Sequence, residues 1–173
     1  MTNGLGLFGQ AIRRTFTAKG RARRTEMIVY VVVSQVLCGV LAGLCSLFLD
    51  AETLAWVRFA ATYLPVIPLF ALSVRRLHDF GQSGTWTVLL WLVAARACTL
   101  DLALRLGGWD TRAMIEAPLS YVDWLFFLPF AWLYIALLIA PGRKGPNRYG
   151  PDPRGEPQAA SKTAGSGNPE PAA

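Results

Sequence analysis

The sequence predicts an all-α integral membrane bundle of four transmembrane helices, with an N-terminal amphipathic segment and a disordered C-terminal tail. Three observations carry that class. Counted with Gly in place of Tyr, apolar usage is roughly 60%, where a soluble domain sits near 45–50%. Residues 27–49, MIVYVVVSQVLCGVLAGLCSLFL, run for 23 positions without a charge; as a helix at ~1.5 Å per residue they reach ~35 Å and cover a bilayer core. Of the 17 Lys and Arg, 13 fall in three segments separated by apolar runs. A secreted disulfide scaffold, a coiled coil and a disordered regulator are excluded by the same composition.

The first helix is read as a retained anchor, because 26 mostly polar and basic residues precede it, whereas a signal peptide places a shorter apolar run close to its start. The second, 54–74, carries Arg58 near its start, where the side chain can snorkel. Pro65 and Pro68 remove two backbone donors, so a kink is expected near its middle. The third, 85–106, has only 11 uncharged residues before Arg96. Either it spans with Arg96 near mid-depth facing protein, or its apolar part is short and Asp101 and Arg105 sit in the interface; a span is favoured. Asp101 and Arg105, four apart, can pair on one helical face. The fourth, 124–140, is 17 uncharged residues with Pro129 inside. The expected organisation is therefore a basic amphipathic segment at 1–26, a transmembrane domain at 27–140, a C-terminal motif at 141–153 and a disordered tail at 154–173, where no aliphatic residue after Asp152 is larger than Ala.

Charge sets the expected orientation. Residues 1–26 hold six Lys or Arg, the loop 75–84 two and the region after Ala140 five, while the other segments hold four arginines against six acids. By the positive-inside rule both termini and the middle loop are cytoplasmic. The net charge of +6 is thus a matter of topology and anionic lipid rather than of nucleic acid. Leu5, Phe8, Ile12 and Phe16 recur at helical spacing with Arg13 and Arg14 off the stripe, as in a helix lying in the interface. Gly39 and Gly43 form a GxxxG pair, read first as a surface for packing within the chain, with a homo-oligomer or a membrane-protein partner left open. Cys38, Cys45 and Cys98 have no ligand spacing, and with a single His no metal or other cofactor is expected.

Three polar segments fall on one predicted side. They are Gly20-Arg21-Ala22-Arg23-Arg24-Thr25-Glu26, then Arg75-Arg76-Leu77-His78-Asp79-Phe80-Gly81-Gln82-Ser83-Gly84-Thr85-Trp86, and Pro141-Gly142-Arg143-Lys144-Gly145-Pro146-Asn147-Arg148-Tyr149-Gly150-Pro151-Asp152-Pro153. In their order, and in their distances from the apolar runs, these resemble the bacterial inner-membrane family known as domain of unknown function 805, with its GRxxRxE, RRLHDxGxSGWW and PGxxGxNxYGPDP pattern. The resemblance covers about residues 16–153. Thr85 and Met27 depart from the family pattern. It implies several membrane helices and a multi-pass place in the bacterial plasma membrane, and it assigns no particular activity.

The structural reading of these residues is a helix-ending charge cluster in which Asp79 and Glu26 neutralise neighbouring arginines; beside it, two functions fit them. In the first, the chain is a non-enzymatic membrane component binding anionic lipid headgroups or an anionic small molecule. Guanidinium groups bind phosphate or carboxylate bidentately and Gly-rich turns expose backbone donors. The residues concerned are Arg21, Arg24, Glu26, Arg75, Arg76, His78, Asp79, Asn147, Arg148 and Tyr149. In the alternative, a small transporter or channel subunit uses the intramembrane charges Arg96, Asp101 and Arg105. His78 beside Asp79 invites acid–base chemistry, but Ser83 has no base of its own, and no catalytic residue is assigned.

Overall fold

A computed structural model describes residues 4–13 and 16–154, apart from the Leu5 side chain; the tail expected to be disordered lies outside these residues from position 155 onward. Among the described residues the chain is helical, with one isolated bridge between Asn147 and Gly150. Its elements are α1 (Gly4–Arg13), α2 (Arg24–Cys45), α3 (Ala51–Tyr63), α4 (Val66–Asp79), a 3-10 turn at Gly84–Thr87 and α5 (Val88–Ile139).

The first span is the uninterrupted α2, 22 residues long. Asp50 then opens α3, its carboxylate accepting the backbone N–H groups of Glu52 and Thr53 at 3.0 Å each, so two donors of the first turn are satisfied. The expected proline kink divides α3 from α4 at Leu64 and Pro65. It is tied to the first span, because the Tyr30 hydroxyl donates to the Pro65 carbonyl at 2.8 Å. α4 ends at Asp79, five residues beyond the expected boundary, so the charged motif RRLHD is helical rather than loop.

The largest difference lies in α5. The sequence places a loop between 106 and 124, yet the helix resumes at 109 and runs to Ile139. Only Gly108 interrupts it, at φ 76° and ψ −171°, a region open essentially to glycine. There the chain folds back, and arms 88–107 and 109–139 lie side by side, bridged where Arg96 of the first meets Asp123 of the second at 2.5 Å. Helix persists through the polar stretch because Arg112 and Glu116, four apart, pair at 3.2 Å. Three units, α2, the pair α3–α4, and the stretch from Gly84 to Ile139, are long and apolar enough to cross a membrane.

α1 does not lie apart from the bundle. Phe8 stacks on Tyr30 with centroids 5.6 Å apart and Ala11 is buried, whereas Phe16 falls outside the helix and is almost entirely exposed. Few apolar side chains are buried; their main cluster runs from Ala11, Ala22, Met27 and Tyr30 to Leu72, Leu77, Leu133 and Leu137, at the end of the bundle that carries the motifs. Elsewhere the outward faces are Leu, Val, Phe and Trp, as lipid requires. Gly39 and Gly43 are exposed, with nothing near either Cβ position, so the packing within the chain expected of GxxxG is not made.

Gly108→Ala is expected to destabilise the hairpin by about 1–3 kcal/mol through backbone strain. Gly39→Ala and Gly43→Ala, in open helical positions, should be neutral or slightly stabilising. Melting temperatures of the three variants in detergent check both statements.

Candidate functional site

All three charged motifs meet at one end of the bundle, around Asp79. Oδ1 of this carboxylate accepts Arg21 Nε at 2.9 Å and Arg21 Nη2 at 2.7 Å, and Oδ2 accepts Arg76 Nη1 at 2.6 Å. Arg154 stands 3.7 Å from Oδ1. Neither Asp79 nor its two bonded arginines leave more than 1% of the side chain exposed.

The remaining nitrogens of both arginines are spent on carbonyls. Arg21 donates to Gly145 and to Arg143, each at 2.5 Å, which fastens the C-terminal motif over the cluster. Arg76 reaches the C-terminal end of α5, donating Nε to the Leu137 carbonyl at 2.9 Å and Nη2 to the Ala140 carbonyl. Those carbonyls belong to the last turn, where a cation also complements the helix dipole. Arg75, fully buried, holds Glu26 at 3.0 Å, and its own carbonyl accepts the Ala22 N–H at 3.1 Å. A residue in each motif thus neutralises or caps another.

The C-terminal motif is a strap across this cluster. The Asp79 carbonyl accepts the Arg143 N–H at 2.9 Å, and Asn147 Nδ2 donates to the His78 carbonyl at 2.9 Å. Tyr149 stacks on His78 at 3.8 Å between centroids, nearly parallel, and the Arg148 guanidinium lies 4.7 Å from the Tyr149 centroid. Gly142 passes so close that a Cβ there would sit 1.6 Å from Asp79 Oδ2. Asp152 holds the strap's turn by accepting the Gly145 N–H at 2.9 Å. Its carboxyl is held well below the usual carboxylate range, first by the Arg154 backbone N–H, then by the Arg154 side chain and the Gly145 N–H.

The residues expected to bind an external anion therefore divide. Arg21, Arg75, Arg76, Glu26 and Asp79 are buried and engaged with the chain itself, which removes them as a surface patch. Asn147 and Tyr149 are half-buried strap residues, and Arg24 and Arg148 remain exposed beside Arg23, Arg143 and Lys144. His78 and Asp79 form no dyad: Nδ1 of His78 lies 3.1 Å from the Gly20 carbonyl, while both Asp79 oxygens face arginines.

Farther along the bundle, the intramembrane charges are not brought together as the sequence suggests. Asp101 accepts the Tyr63 hydroxyl at 2.8 Å and lies 3.9 Å from Arg112, rather than pairing with Arg105. Arg105 instead lies over the rings of Phe59 and Trp56, at 5.3 and 5.6 Å. Arg96 pairs with Asp123. Sequence reasoning did not single out Asp123, Arg112, Asp152 or Arg154. The signal for Asp123 was available: a lone acid just ahead of an apolar run, opposite Arg96 once the chain turns back.

A bundle of apolar helices closed at one end by a cap of buried ion pairs defines an integral membrane protein. The chain belongs to the family described as protein of unknown function (DUF805), which matches residues 15–151. It is 30% identical over 139 residues to the inner membrane protein YhaI of Escherichia coli (strain K12), covering 78% of this chain and 84% of that one. With the inner membrane protein YhaH of the same strain it shares 28% over 144 residues, covering 80% and 88%, and with the uncharacterized protein YiiR 29% over 140 residues, covering 79% and 86%. No solved structure matches the chain. The protein is accordingly an inner-membrane protein.

Asp79→Asn leaves two buried guanidinium groups facing a neutral amide and should cost about 3–5 kcal/mol, read as a lowered melting temperature and faster proteolysis of residues 141–154. Because the Asp152 carboxyl is depressed in the folded chain, its contribution is complete above its unfolded value and lost as pH falls through and below it. Strap proteolysis should therefore rise as pH falls below about 4 in the wild type; in Asp152→Asn it should already be raised at neutral pH and lose that component of the acid dependence.

Proposed function

We propose that this inner-membrane protein is a non-enzymatic component whose cytoplasmic face engages anionic lipid headgroups, through the rim of the cap and not through its interior. The observation that carries this reading is the partition of arginines: buried Arg21 and Arg76 have every nitrogen engaged by the chain and buried Arg75 pairs with Glu26, whereas Arg23, Arg24, Arg143, Lys144 and Arg148 stay exposed around the same end. Exposed Trp86 and Phe16 accompany them, as apolar anchors at headgroup level would. A juxtamembrane cation contributes about 1 kcal/mol near an anionic surface, roughly fivefold in affinity. With the positive-inside rule, this end faces the cytoplasm and the two arms of α5 make the third and fourth crossings.

Arg24→Gln with Arg148→Gln tests the reading, since neither residue is needed for burial of the cluster. Native mass spectrometry of protein released from mixed phosphatidylglycerol and phosphatidylethanolamine should show phosphatidylglycerol retention reduced about fivefold or more. It should also weaken with salt in the wild type. Equal retention by the variant would overturn the proposal.

Transport is the second reading, favoured by the charged pair Arg96–Asp123 midway along the α5 hairpin. Asp101 and Arg105 do not join that pair, so a pathway built on the three charges first proposed loses two of them. Flux in proteoliposomes that survives Arg96→Leu would remove what is left of it.

A further inference from the structure

We infer that the groove between the two arms of α5 is a binding site for a net-neutral amphiphile, whose polar head is held by the Arg96–Asp123 pair. The groove is about 680 Å³ and is walled by Leu92, Thr99, Leu119, Ser120, Phe126 and Phe127 together with the pair itself. That volume lies within the roughly 300–1,000 Å³ of small-molecule sites.

The argument turns on saturation. In the cap, Arg21 and Arg76 use Nε and both Nη atoms, and the pair they make with Asp79 is sealed. Arg96 makes one hydrogen bond, from Nη2 to Asp123 Oδ2 at 2.5 Å. Its Nε is buried without an acceptor, and among the described residues neither its Nη1 nor Asp123 Oδ1 has a partner. Both side chains are about one-third exposed, at 31% and 34%, and both line the groove.

Depth sharpens the point. Arg96 lies eight residues from the start of its arm and eleven from Gly107, which is ~12 Å from one end and ~17 Å from the other. An ion pair left with an open donor and an open acceptor at that depth faces hydrocarbon, where each is expensive to leave unmatched. The pair has no net charge, so an anionic head would meet Asp123 unfavourably and a cationic one Arg96. A head with both an acceptor and a donor and no net charge satisfies both atoms, and its chains match the Leu and Phe walls. A diacylglycerol hydroxyl and ester, or a zwitterionic ethanolamine phosphate, has that chemistry.

The test uses delipidated full-length protein titrated in detergent with dioleoylglycerol, with dioleoylphosphatidylethanolamine and with dioleoylphosphatidylglycerol, read by native mass spectrometry. Read on the Arg24→Gln/Arg148→Gln variant, which lacks the anionic-lipid rim, one equivalent of a neutral probe should be retained in preference to the anionic one, and which neutral probe is held identifies the source of the head. Arg96→Leu with Asp123→Leu keeps the groove apolar and should lower retention about tenfold or more. Ser120→Trp, which fills the groove while leaving both charges in place, should do the same and decides the matter if the leucine pair fails to fold. Retention undiminished by the folded variants, indifference to the charge of the probe, or no neutral probe on the wild type would overturn the inference. The Arg24→Gln/Arg148→Gln variant should retain the neutral probe normally, so this site and the cap rim succeed or fail separately.

Discussion

One buried carboxylate organises this protein. Asp79 sits at the end of α4 with almost no exposure, and an unpaired charge there would be driven to neutralise or unfold its surroundings. It is tolerated because Arg21 and Arg76 deliver three hydrogen bonds to its two oxygens. Each arginine then carries the constraint outward: Arg21 to the strap at Arg143 and Gly145, Arg76 to the last carbonyls of α5. The segment before α2, the end of α4, the end of α5 and the strap are thereby joined through one residue. In a chain with few buried apolar side chains, that junction contributes specificity that hydrophobic packing cannot supply in lipid.

The cap also shows why density of charge in a sequence does not locate a surface. Arg75, Arg76 and Asp79 read equally well as an external anion site or as a helix-ending cluster in which Asp79 and Glu26 neutralise neighbouring arginines, and charges are almost never fully buried unless paired. Their partners lie far away along the chain: Arg21 is 58 residues from Asp79 and 124 from Gly145. Nothing local reveals such pairing. What the sequence did reveal was that three motifs belong together, through their positions beside apolar runs and through the family they resemble. The fold class and the proline kink were legible for the same kind of reason, since both follow from local chemistry.

The hairpin was less legible, and its misreading has a single cause. Aspartate, arginine and glutamate between 106 and 124 suggest an outer loop, but Arg112 and Glu116 satisfy one another on the helix and need no loop. The spacing of Asp101 and Arg105 suggests a pair of the same kind, yet both lie where other elements compete for them. The Tyr63 hydroxyl reaches Asp101, and the rings of Trp56 and Phe59 receive Arg105. Helical spacing decides between partners only when nothing else is in reach. Likewise Gly39 and Gly43 permit close packing without supplying a helix to pack.

The α5 hairpin is tied at three levels, and the three ties differ in kind. At one end Gly108 fixes the reversal through backbone conformation, with Asp101 and Arg112 of the two arms 3.9 Å apart beside it. At the other, Arg76 binds the carbonyls of residues 137 and 140 to α4 with every nitrogen in use. Midway, Arg96 and Asp123 hold the arms together by a single hydrogen bond and retain unmatched polar atoms. Had that middle tie served only to brace the hairpin, two apolar side chains in contact would brace it as well without the desolvation cost. A charged pair kept at mid-depth, partly open to a groove, is better explained by what it can hold there than by the stability it adds.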